Sequence, residues 1–115
     1  MKTNAETSPA YADYKTCIDA CLACITACNH CAASCLQEPD AGMMTRCIQL
    51  DLECAAVCYT AAQLMSLGSE HSRSFCHLCA EICLACAEEC SKYEYEHCRV
   101  CATICKKCAD ECNSM

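Results

Sequence analysis

The stretch CIDACLACITACNHCAASC, residues 17–35, places cysteines at 17, 21, 24, 28, 31 and 35, with gaps that alternate between four and three. Residues three and four apart lie on one face of an α-helix. Cys17, Cys21, Cys24, Cys28, Cys31 and Cys35 therefore form a single seam, carrying thiols where a bundle helix ordinarily carries leucine.

Working outward, this helix is expected to start at Pro9, which suits a first helical turn, with Ser8 as its cap, and to run to about Gln37. Glu38 to Gly42 holds a proline and a glycine and reads as a reversal. A second helix then runs to about Ser66 and carries Cys47, Cys54 and Cys58, with Asp51, Ala61 and Met65 at the other seam positions. Gly68 is expected to end it and Ser69 to cap the next. The third helix carries Cys76, Cys79, Cys83, Cys86 and Cys90, and the fourth carries Cys98, Cys101, Cys105, Cys108 and Cys112, both with gaps of three, four, three and four. The eight-residue gap between Cys90 and Cys98 falls out of phase and places a third turn around Lys92 to Glu94. Four amphipathic helices with short links predict an all-α, antiparallel up-down-up-down four-helix bundle with a cysteine-lined core. The flanking stripe of Ile18, Leu22, Ile25, Leu78, Ile82, Val100 and Ile104 either seals that core or joins subunits.

At 115 residues the chain is expected to form one domain over residues 9–115, behind a flexible tail at residues 1–8. Leu, Ile, Val and Phe together supply about 14% of the residues, which on composition alone suggests disorder. The nineteen cysteines point the other way, because a neutral thiol packs as a small apolar group and an ionised one is a soft ligand. A net charge of −7 with eight basic residues offers no surface for nucleic acid. No membrane span is expected from the apolar runs, and the first fourteen residues lack the apolar core of a secretory signal. The expectation is a cytoplasmic protein, where disulfides are rare and dense cysteine points to metal or redox chemistry.

Layers of thiolates with almost no histidine on the seam call for a soft ion, and Cu(I) is the biologically common ion that thiolate and thioether ligands select. Charge discriminates further. Cu(I) at one ion per thiolate leaves the core near neutral, whereas about five Zn²⁺ shared among nineteen thiolates would leave about nine buried negative charges, each costing several kcal/mol. The reading is a protein that binds and stores many Cu(I) ions, not an enzyme. A sink for Zn²⁺, Cd²⁺ or Ag⁺ is one alternative, and an iron–sulfur or thiol redox protein is another. Against the redox reading, the bacterial ferredoxin spacing is absent, and nothing accompanies the CxxC pairs to suggest a βαβ oxidoreductase. No nucleophile–base pair follows from His77 or His97 lying beside a cysteine in sequence, since helix neighbours point about 100° apart.

The run CIDACLACITACNHCAASC, followed by two CxxCxxxCxxCxxxC helices, resembles the cysteine-rich four-helix-bundle copper storage proteins of bacteria, in their cytosolic branch, over residues 9 to 115. The resemblance implies a homotetramer of bundles, each storing Cu(I) in multinuclear copper–thiolate clusters. It also implies a mouth at one bundle end, where Met or His helps copper in or out. Met43 and Met44, four and three residues before Cys47, are expected to face the seam there, in company with Cys35, Cys90, Cys98 and His97. His97 would supplement the sulfur ligands, and Asp51, from its seam position, would cap a cluster or bond to a backbone or thiol group. The opposite end, with Tyr14, Met65, Leu67 and Phe75, reads as an apolar plug, and Met115 as a frayed end. His30, His71 and His77 fall off the seams, while Glu88, Glu89, Lys106, Lys107, Asp110 and Glu111 are expected to face water. Copper donor and acceptor proteins are not specified by anything in the sequence.

Overall fold

In the computed structural model, the backbone is described for residues 9–115 and the side chains for residues 11–115. The expected tail and the Ser8 cap lie outside the described residues. Four helices follow one another: α1 (Pro9–Cys35), α2 (Thr45–Leu67), α3 (Ser72–Cys90) and α4 (Glu96–Asn113), with a 3₁₀ turn at Ala41–Met43 before α2. Each packs against its two neighbours, in the ring α1, α2, α3, α4 and back to α1. Cys47 meets Cys90 and Cys35 meets Cys98 at one end, while Cys17 meets Cys112 at the other. The expected antiparallel up-down-up-down bundle is the observed one.

The seams turn inward together. Eighteen of the nineteen cysteines have no exposed surface, and Cys17 keeps 3%. Ala20, Ala32, Ala55, Ala61, Ala62, Ala80, Ala87 and Ala109 are buried beside them. Small side chains at the contacts allow the helix axes to come close. Ile18 is buried, while Ile25, Ile82 and Ile104 pack half-buried against the core. Leu22, Leu78 and Val100 are 49%, 44% and 47% exposed, so the expected stripe splits into a sealing part and a surface part.

Helix ends fall where the backbone chemistry requires. Gly68 closes α2 at φ 70°, its N–H reaching Leu64 and Met65 carbonyls, and the Ser69 N–H donates to the Leu64 carbonyl at 3.0 Å. This is a Schellman ending, and its left-handed residue favours glycine. Ser69 does not cap α3 as expected. Its Oγ accepts from the His71 N–H at 3.0 Å within an intervening turn, and α3 starts three residues later, at Ser72. The third turn spans residues 91–95, around the expected Lys92 to Glu94.

One expectation about the exterior is corrected. Glu89 is only 6% exposed, drawn inward between Arg46 at 3.4 Å, Lys92 at 3.0 Å and the Tyr93 hydroxyl at 3.3 Å. Within Tyr11–Cys35 of α1 an 18-residue window reaches a mean hydropathy of 1.3, long and apolar enough by composition to cross a membrane, although Asp19, Asn29 and His30 interrupt its apolar run. Much of that hydropathy belongs to cysteines that here face three other helices.

Candidate metal centre

The inward seams place sulfur against sulfur along the whole bundle. Near the far end, Cys17 and Cys112 lie 3.5 Å apart. Cys21, Cys79, Cys108 and Cys112 form the next set, followed by Cys24, Cys58, Cys83 and Cys108, then Cys24, Cys28, Cys54 and Cys105, then Cys28, Cys86, Cys101 and Cys105. Within each set all sulfurs lie within 4.8 Å of one another. Neighbouring sets share members: Cys108 belongs to the first two, Cys24 to the middle two, and Cys28 and Cys105 to the last two. Cys31, Cys35, Cys98 and the His97 ring complete the ladder at the end expected to be the mouth.

The spacings suit bridging. Cys24 and Cys54 are 3.5 Å apart, Cys28 and Cys105 3.5 Å, Cys54 and Cys83 3.4 Å, and Cys58 and Cys108 3.8 Å. A metal–sulfur bond of about 2.3 Å needs sulfurs about 3.8 Å apart in a tetrahedron and about 4.0 Å apart in a trigonal set. The thiols thus stand close to ligand spacing with every cysteine free. Burial pushes the Cys35 thiol above its ordinary range and Cys98 up to about 11. Such groups hold their protons until a cation replaces them.

Asp51 is fully buried where α2 lacks a seam cysteine. Its Oδ1 accepts from the thiols of Cys86 at 3.2 Å, Cys101 at 3.3 Å and Cys90 at 3.4 Å, and Cys47 stands 4.0 Å from Oδ2. Burial pushes its carboxyl up to about 10. The seam position read from sequence is thus occupied by an acid that the metal-free core keeps protonated.

At the mouth, the His97 Nδ1 lies 3.5 Å from Cys31, 3.6 Å from Cys98 and 4.0 Å from Cys35. Met44 is fully buried among the core residues, whereas Met43 is 81% exposed. The expectation that both methionines face the seam holds for one. Counting back in helical steps from Cys47 requires a continuous α-helix, but α2 starts at Thr45 and Met43 closes a 3₁₀ turn. His30, His71 and His77 are exposed, as read from sequence.

At the far end, Tyr14 and Phe75 pack half-buried and Met65 is fully buried, but Leu67 is 72% exposed and takes no part in a plug. It is the last residue of α2 and leans toward solvent beside Gly68. Met115 is half-buried against the core rather than frayed. A cavity of about 470 Å³ lies there, lined in part by Tyr14, Cys17, Arg73 and Met115. Glu38, Asp40 and Tyr95, which surround His97, escaped the sequence reading. They sit on turns, where no periodicity marks them.

This fold and its ladder define a class: helical bundles whose interior is a continuous soft-metal ligand set. Within that class the chain belongs to the copper storage protein family, Csp, the match extending over residues 10–115. It is similar to the uncharacterized cysteine-rich protein YhjQ of Bacillus subtilis (strain 168), 45% identical over 83 residues, which are 72% of this chain and 77% of that one. The Cu(I)-bound copper storage protein BsCsp3 of Bacillus subtilis is 44% identical and superposes with a TM-score of 0.87 over 90% of this chain and 97% of its own. A cytosolic copper storage protein from Streptomyces lividans, solved during copper loading with five coppers, is 37% identical, with a TM-score of 0.87 over 91% of this chain and 92% of its own.

Proposed function

We propose that this chain is a cytosolic Cu(I) store. Residues 9–115 act as one storage domain in which the nineteen cysteines from Cys17 to Cys112 are the ligands. The observation that carries the reading is the sharing of thiols between successive sulfur sets. A shared thiolate bridges two ions, so the ladder fills toward one ion per thiol instead of one ion per four. Each Cu(I) then replaces one thiol proton, and the charge of the core does not change as it loads. Divalent ions filling the same core would accumulate uncompensated charge, which burial penalises by several kcal/mol per ion.

The sulfur spacings also admit a tetrahedral ion, so Zn²⁺ or Cd²⁺ is expected to occupy a few sets without filling the ladder. Asp51 caps a cluster from the side as a secondary oxygen contact. His97 and Met44 serve the mouth, and exposed Met43 presents a thioether just outside it. Exposed Leu22, Leu78 and Val100 offer apolar positions for the assembly of bundles into a homotetramer. Neither catalysis nor binding to nucleic acid or membrane has a place in this reading.

The test is an anaerobic titration of the reduced, metal-free protein with Cu(I) against a coloured competing chelator, with Zn²⁺ run in parallel. Tight uptake of more than about ten Cu(I) per chain, with about one proton released per ion, is expected of a thiolate core. Uptake of one to about four ions would instead mark a copper chaperone or sensor.

A further inference from the structure

His97 is gripped from two sides by residues that lie outside the sulfur sets. Its Nε2 lies 2.8 Å from the Glu38 Oε2, on the side away from the thiols. The ring stacks on Tyr95, centroids 5.5 Å apart and planes 5° from parallel, and the Tyr95 hydroxyl donates to the Asp40 Oδ1 at 2.7 Å. Glu38 and Asp40 come from the chain between α1 and α2, whereas Tyr95 and His97 come from the junction of the third turn with α4. Two turns far apart in sequence therefore clamp one imidazole at the end of the sulfur ladder.

A carboxylate offers only acceptors, so the proton of this pair sits on Nε2. In the neutral ring the lone pair is then on Nδ1, the nitrogen that faces Cys31, Cys35 and Cys98. A carboxylate behind an imidazole fixes both tautomer and ring orientation for metal binding, and its loss typically costs 10- to 100-fold in affinity.

We infer that Glu38 is a positioning residue for copper loading: it holds His97 as the Nε2–H tautomer, with the Tyr95–Asp40 pair fixing the ring plane, so that an arriving ion meets Nδ1 and sulfur together. The inference rests on the reading of the bundle as a Cu(I) store. Glu38 acts on the imidazole and not as a sulfur ligand, so it governs how the first ions are taken up and not how many are held.

The experiment compares wild type with Glu38→Ala, Glu38→Gln and Tyr95→Phe by three readouts. The His97 tautomer is read by ¹⁵N correlation spectra of the reduced, metal-free protein. Uptake of one equivalent of Cu(I) is followed anaerobically by stopped flow, and total capacity by titration. Wild type is expected to show Nε2–H, and Glu38→Ala a mixture of tautomers with first-ion uptake or affinity lowered about tenfold at unchanged capacity. Glu38→Gln keeps an accepting oxygen and should retain most of the wild-type tautomer and rate, which a purely structural role would not require. Tyr95→Phe keeps the stack, loses the Asp40 bond, and should fall between the two.

A wild-type tautomer and rate in Glu38→Ala would overturn the inference, as would loss of capacity in step with rate. Should the alanine variant fail to fold, an Nδ1–H tautomer in wild type overturns it equally. A wild-type chain that takes up only a few ions sinks the storage reading instead, while the metal-free tautomer still decides the role of Glu38.

Discussion

The two ends of the bundle close the same sulfur ladder with different chemistry. The mouth is tied by polar bonds between turns: Glu38 to His97, Asp40 to Tyr95, and the Tyr93 hydroxyl to the Met43 carbonyl at 3.2 Å. The far end is closed by Tyr14, Met65, Phe75 and Met115 around Cys17, Cys76 and Cys112, with no imidazole among the sulfurs. Polar bonds exchange readily with water, so their net cost of opening is about 1 kcal/mol each. Parting apolar side chains exposes surface at about 25 cal/mol per Å². Exchangeable polar bonds thus hold one end and apolar packing the other, and the single thiol with any exposure, Cys17, lies at the apolar end.

The largest effect separates store from mouth. Replacing Cys24, Cys28 and Cys105 with alanine removes thiols that neighbouring sets share. Cu(I) capacity should fall by about three ions or more, whereas His97→Ala should stay within about one ion of wild type, both by competitive titration. Equal losses would erase the distinction between ladder and mouth.

Asp51 gives the next. The folded, metal-free protein holds its carboxyl at about 10, against 3.8 for an ordinary aspartate. Between those values the folded chain keeps a proton that the unfolded chain has released, so this group's stabilising contribution, complete below pH 4, is lost as pH rises. The slope is at most about 1.4 kcal/mol per pH unit. Asp51→Asn should flatten it. Urea unfolding of both reduced apo-proteins between pH 5 and 7.5 checks this, and parallel pH profiles would contradict it.

A smaller effect tests the ends directly. Brief alkylation of the folded, reduced apo-protein should modify Cys17 first, as read by peptide mass mapping, because a little of its surface is already outside. Earlier labelling of Cys35 or Cys98 would show that the mouth opens faster than static exposure at the far end can compete.

The smallest divides the methionines. Met44→Leu, a near-isosteric core change costing under about 1.5 kcal/mol, should slow loading a few-fold at constant capacity. Met43→Leu should slow it less, since that side chain stands outside. Identical stopped-flow uptake in both variants and wild type would remove methionine from the route.

What could be read in advance follows the helical period. Every cysteine lies inside an α-helix where the alternating gaps put it, and Asp51 lies on the seam where counting from Cys47 put it. The errors gather where the period stops. Met43 belongs to a 3₁₀ turn and Leu67 ends its helix, while Glu89, still inside α3, is drawn inward by Arg46 of another helix, a tertiary contact and not a break in the period. Counting residues is informative only while the backbone repeats.

The sequence by itself determined the four helices, their inward faces and the softness of the ligand set, because a 3.6-residue repeat converts spacing directly into direction. Tertiary structure alone decided which thiols meet across the core, that a buried acid stays protonated among them, and that Glu38 and Tyr95 grip His97. Those facts depend on the register between helices and on the paths of two turns. Both are set by packing between segments up to 95 residues apart, as between Cys17 and Cys112, which no local period encodes.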